Sequence, residues 1–68
     1  MYISTTKINL IRAEQGLTAT ELAKRSGISR QNISTIIRRG TCEPKTAGKL
    51  AAGLGVPVAE IIREEAIP

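Results

Sequence analysis

Apolar residues recur along this chain at helical spacing. Ile8 and Ile11 lie three apart. Ile33, Ile36 and Ile37 cluster within four positions, and Ala47, Leu50, Ala51 and Leu54 repeat the interval. Such spacing gathers side chains on one face of an α-helix. No segment alternates apolar and polar positions as a half-buried strand would. The punctuation agrees and predicts five short helices in one all-α domain. The first begins at Ser4 or Thr5 and runs to Gln15, with Gly16 closing it. The second starts at a capping box, Thr18-Ala19-Thr20-Glu21, and ends at Gly27. In that box the Thr18 hydroxyl accepts from the Glu21 amide and the Glu21 carboxylate reaches back to the Thr18 amide, while Leu17 and Leu22 staple the start. Ser29 caps the third helix, which runs to Arg39, with Ile28 and Ile33 as its staple. Glu43 stands where a cap for the fourth belongs. Pro44 fits its first helical position and Gly55 its end. Pro57 introduces a fifth, Val58–Glu64, with Val58, Ile61 and Ile62 apolar. Gly48 and Gly53 each weaken the fourth helix by roughly 1 kcal/mol relative to alanine, and close helix packing would account for Gly48. Leu10 falls off the inward stripe, either as a single exposed leucine or as part of a contact surface.

The second and third helices are separated by Gly27-Ile28-Ser29 alone. A short brace helix, a tight turn and a second helix form a helix-turn-helix, whose second helix is free to enter a DNA groove. At about 100° per residue, Ile33, Ile36 and Ile37 share one side of the third helix, and Gln31, Thr35 and Arg38 project from the other. Arg30 and Asn32 flank its start and Arg39 its end. These are side chains that read base edges and hold phosphates. The plainer alternatives are a surface ion pair for Arg30, a solvated glutamine at 31, and cationic caps of the helix C-terminus for Arg38 and Arg39.

Charge sharpens the picture. The 68 residues carry a net charge of +4. Residues 1–42 hold seven basic side chains against Glu14 and Glu21, whereas residues 43–68 are net −1. The positive excess therefore lies in the half that contains the helix-turn-helix, as a polyanionic partner would require. Composition also excludes. The chain has no His, Asp, Phe or Trp. Neither a nucleophile–base pair nor paired catalytic carboxylates can be assembled, so no enzyme is expected. One thiol without histidine makes no metal site, and no cofactor or small-molecule ligand is implied. Cys42 stands alone, which fits a reducing compartment and an inert thiol. No apolar run approaches the ~20 residues of a membrane span, and Met1-Tyr2-Ile3-Ser4 shows no signal peptide. The expected location is cytoplasmic, with the nucleoid.

The stretches LTATELAKRSGISRQNIS (Leu17–Ser34) and AGKLAAGLGVPVAEII (Ala47–Ile62) resemble the Cro/C1-type, lambda-repressor-like helix-turn-helix family. The resemblance covers about residues 3–64 of a single domain spanning 1–68. It implies a lambda-repressor-like fold and operator binding by bacterial and phage regulators, usually as dimers. This chain departs from the family in three places. Ala19 stands where the family often has a phosphate-binding Gln at the start of the second helix. Ile37 stands where many members have a Glu that pairs with an Arg of the first helix, so Arg12 needs water, a carbonyl or another acid instead. The Arg39–Glu43 turn is slightly shorter than the commoner one.

The expected function is that of a transcriptional regulator, a repressor by preference, with the third helix, about 30–39, in the major groove. Arg30, Gln31, Asn32 and Thr35 are the expected base contacts, and Thr18, Ser29, Arg38 and Arg39 the phosphate contacts. The alternative is a protein-interaction adaptor on the same fold, such as an antitoxin or co-regulator, with Leu10, Ile61, Ile62 and Ile67 as its contact patch. A homodimer through Ile61 and Ile62 of the fifth helix is expected, unless those residues merely close the core.

Overall fold

The computed structural model describes residues 1–63 of the chain. Among these residues are four α-helices: α1 (Thr5–Gln15), α2 (Ala19–Ser26), α3 (Arg30–Arg39) and α4 (Pro44–Leu54). Each begins at a residue with extended backbone and ends at a glycine in the left-handed region. Ser4 resolves the choice at the first start, since its hydroxyl accepts from the Lys7 amide at 3.2 Å. Thr18 and Ser29 cap α2 and α3 in the same way, accepting from Glu21 at 3.1 Å and from Asn32 at 3.2 Å. The Thr18 box differs from its expected form: the Glu21 carboxylate accepts from the Thr18 hydroxyl, at 3.1 Å. Glu43 occupies the cap position of α4 but makes no side-chain cap bond, and Pro44 sits at the start.

Five helices are not found. After α4 the chain makes a single 3₁₀ turn, Val58–Glu60, and then leaves the helical path. A backbone pairing accounts for this. Ile62 bridges antiparallel to Ile3, the Ser4 amide donates to the Ile61 carbonyl at 2.7 Å, and the Arg63 amide donates to the Tyr2 carbonyl at 3.0 Å. Backbone groups committed to a neighbouring segment are not free to continue a helix. Residues 64–68, which include the expected end of the fifth helix at Glu64 and the contact residue Ile67, lie outside the described residues.

The expected dimer surface is corrected by the same geometry. Ile61 is 0% exposed and belongs to the core, and Ile62 is half-buried against the N-terminal segment. An isoleucine with no accessible surface offers nothing to a second copy, so Ile61 and Ile62 do not form an apolar face. Leu10, at 57% exposure, remains on the surface.

The core is aliphatic. Ile8 from α1, Leu22 from α2, Ile33 and Ile36 from α3, and Leu50, Ala51 and Leu54 from α4 meet Ile3, Leu17, Ile28 and Ile61 from the connections. The two staples are buried as expected, Leu17 with Leu22 and Ile28 with Ile33. Ile11 and Ile37 are only half-buried at the edge of this cluster. The helix ends are tied across the fold as well: the Gln15 side-chain amide donates to the Leu54 carbonyl at 2.7 Å.

Close helix approach occurs at Gly53, not at Gly48. A Cβ at Gly53 would lie 2.8 Å from the Ser26 Cβ and 3.0 Å from its backbone, whereas one at Gly48 would meet nothing within 4 Å. Ser26 is itself buried, and its hydroxyl accepts from the Ile28 amide at 3.2 Å inside the turn. The end of α2 thus rests directly on α4, immediately before the turn into α3. The two glycines therefore separate in a thermal melt. Gly48→Ala raises stability by about 0.5–1 kcal/mol through helix propensity. Gly53→Ala lowers it by about 1–3 kcal/mol through overpacking. Each kilocalorie moves the melting temperature of a domain this size by about 4–8 °C. Equal shifts for the two variants would contradict the assigned contact.

Candidate nucleic-acid interface

α3 supplies the chemistry, and its sequence explains its pose. Ile33 and Ile36 are 1% and 8% exposed and hold one side of the helix to the core. Ser29 fixes its start and Gly40 its end, where the Gly40 amide donates to the Ile36 carbonyl at 2.7 Å. The opposite side is left uncovered. Arg30, Gln31, Asn32, Arg38 and Arg39 are all exposed, and Thr35 is half-buried. Ser34, also exposed, stands three residues after Gln31 and four before Arg38, so it adds a hydroxyl beside both. Serine is common on any exposed helix face, so nothing in its residue type singled it out.

Hydrogen bonds already present limit what two of the hydroxyls can do. Thr35 donates to the Gln31 carbonyl at 3.0 Å. Its one proton is engaged, so toward a base it offers its methyl group or an acceptor lone pair. Thr18 donates to Glu21 and accepts from the Glu21 amide. A phosphate there would meet a hydroxyl without a free proton, beside a carboxylate. The amides of Ala19 and Thr20, in the first turn of α2, are the better donors at that end. Ser29 differs: its oxygen accepts from Asn32, and its proton remains available to a phosphate.

Arg12 was not among the expected contacts, yet the structure brings it to the start of α2. Its Nε donates to the Leu17 carbonyl at 3.3 Å, so a carbonyl replaces the acid that Ile37 does not supply. Arg12 lines an open groove with Asn9, Gly16, Thr18 and Ala19. A guanidinium and a helix N-terminus therefore face the same groove, and both favour an anion. The sequence carried half of this signal, an arginine without its usual partner. The fold supplied the other half by placing it next to α2.

The remaining candidate chemistry is sparse. Cys42 is half-buried, and burial pushes its thiol pKa up, helped by Glu43 and opposed by the N-terminal ammonium. A reactive thiolate needs the opposite shift. Among the described residues no three His, Cys, Asp or Glu side chains gather as a metal site would require, and no helix is long and apolar enough to cross a membrane.

Comparison with known proteins places this geometry. Searches of curated proteins and of solved structures gave no significant match. A family model for the helix-turn-helix, of Cro/C1 type, matches residues 8–61. The match runs from the first buried isoleucine of α1 to the buried Ile61 and takes in the whole of α2 and α3. The chain belongs to the Cro/C1-type helix-turn-helix family of DNA-binding regulators.

Proposed function

We propose that this chain is a sequence-specific double-stranded DNA-binding repressor that acts by occupying its operator, with α3 in the major groove. One observation carries the reading. Ile33 and Ile36 are consumed by the core while Arg30, Gln31, Asn32, Arg38 and Arg39 stand free on the other side. In this pose Gln31 pairs with N6 and N7 of adenine, and Arg30 grips O6 and N7 of guanine. Asn32 reads a neighbouring edge. Thr35, its hydroxyl turned back to Gln31, meets a thymine methyl one turn deeper. Ser29, Arg38 and Arg39 hold phosphates, and the first turn of α2 with Arg12 holds another.

A single short recognition helix covers few base pairs. Two copies on half-sites about one helical turn apart would supply the rest of the affinity and a palindromic site. The working protein is therefore a cytoplasmic, nucleoid-associated homodimer on DNA, formed from one domain per chain. Its contact face lies elsewhere than Ile61.

Selection from random duplexes with the purified protein yields a two-fold symmetric site. Gln31→Ala then relaxes preference at one or two positions of each half-site, by about 1–3 kcal/mol, and barely changes affinity for random duplex. Unchanged preference removes Gln31 as a reader. The double substitution Arg38→Ala, Arg39→Ala weakens all duplexes alike. It also lowers the dependence of log affinity on log salt by about two, near 0.9 for each phosphate lost. A parent protein with no duplex affinity at low salt would instead favour an adaptor that binds protein.

A further inference from the structure

We propose that the N-terminal segment Met1–Thr5 is a positioning element for the recognition helix, holding the C-terminal end of α3 so that its reading face meets the bases at a fixed angle. This rests on the DNA-reading role proposed above. The last four carbonyls of an α-helix have no partner within it. In α3, the Ile36 carbonyl is met by the capping Gly40 amide, which already closes the helix. The next carbonyl, that of Ile37, accepts from the Thr5 hydroxyl at 3.2 Å, across 32 residues of sequence. The Ile3 amide donates to the Gly40 carbonyl at 2.9 Å, and the Cys42 amide donates to the Met1 carbonyl at 3.0 Å. Tyr2 and Thr41 form an antiparallel bridge between these bonds. Three bonds from one short segment therefore converge on the last turn of α3 and the turn after it.

The segment has its own anchors. Ile3 is buried, and the other edge of the segment pairs with Ile61–Arg63. The Arg63 guanidinium also lies over the Tyr2 ring, 5.6 Å from its centre. What holds the end of α3 is thus fixed to the core and to the far end of the fold, not to a free arm.

The consequence is for specificity more than for affinity. Ile33 and Ile36 hold α3 near its middle. If its C-terminal end loosens, the helix rocks about that point, and Gln31 and Arg38 move in opposite directions. Rocking by about 10° displaces side-chain tips by about 1 Å, more than a bidentate base contact tolerates. Long arginines on phosphates absorb such a shift.

Thr5 isolates the effect, because Thr5→Val keeps the shape and removes the donor, and Thr5→Ser restores it. The readout is the ratio of affinity for the selected duplex to affinity for random duplex, measured on the full chain. Thr5→Val lowers that ratio by about 3- to 10-fold. Affinity for random duplex and its salt slope stay within about two-fold, and amide exchange at Arg39–Thr41 quickens in the DNA-free protein. Thr5→Ser recovers all of these. An unchanged ratio with faster exchange, or specific and random affinities falling together, overturns the positioning role and leaves Thr5 as part of the scaffold. A parent protein that binds selected and random duplex equally would instead defeat the DNA-reading role itself, and the exchange data would still report whether Thr5 holds α3.

Discussion

The burial of Ile33 and Ile36 is the constraint on which the rest of the structure depends. A helix of this length is marginal alone in water, and β-branched residues do not favour it. α3 exists because one side of it is core. That same burial decides what the other side can do: once two isoleucines are committed inward, Arg30, Gln31 and Arg38 have nowhere to go but out. The platform beneath is set by the close approach of α2 to α4 at Ser26 and Gly53, directly before the turn that launches α3. A residue with a Cβ at 53 would push the end of α2 away and carry the turn with it. Function on the surface is therefore written by apolar and small residues inside.

Much of this was legible in the sequence because it is local. The caps at Thr18 and Ser29, the glycine stops and the two staples act within one helical turn, so their residue types announce them. All four α-helices lie within a residue or two of where those signals put them. What escaped was non-local. Nothing in Met1-Tyr2-Ile3 predicts that it will lie between the turn after α3 and the segment after the 3₁₀ turn, since the partners are some forty and sixty residues away. Because that pairing was missed, Ile61 and Ile62 were taken as the outer face of a fifth helix. Gly48 and Gly53 look alike in sequence. Only the proximity of Ser26 separates the one that packing needs from the one it does not.

The candidate interface divides the same way. The exposed side of α3 followed from its periodicity, and the exposures of Gln31, Arg38 and Arg39 agree with it. The roles of individual hydroxyls did not follow. Whether Thr18, Ser29 or Thr35 has a proton to give depends on bonds that only coordinates reveal. Arg12 is instructive. A missing acid at position 37 left it without its usual partner, and the Leu17 carbonyl took that place, which brings a guanidinium to the start of α2. The positive charge of the first 42 residues is thereby spread over two sites, the outer face of α3 and the groove at α2. A duplex spanning both would be held at two points along its backbone.

The most direct measurement is a titration of the isotope-labelled protein with duplex DNA, followed by amide shifts residue by residue. The account predicts that perturbations gather on Arg30–Arg39 and at the start of α2 around Ala19, while the inward residues of α4 stay nearly still. Shifts concentrated around Leu10 or Val56–Glu60, with the amides of α3 unmoved, would contradict it.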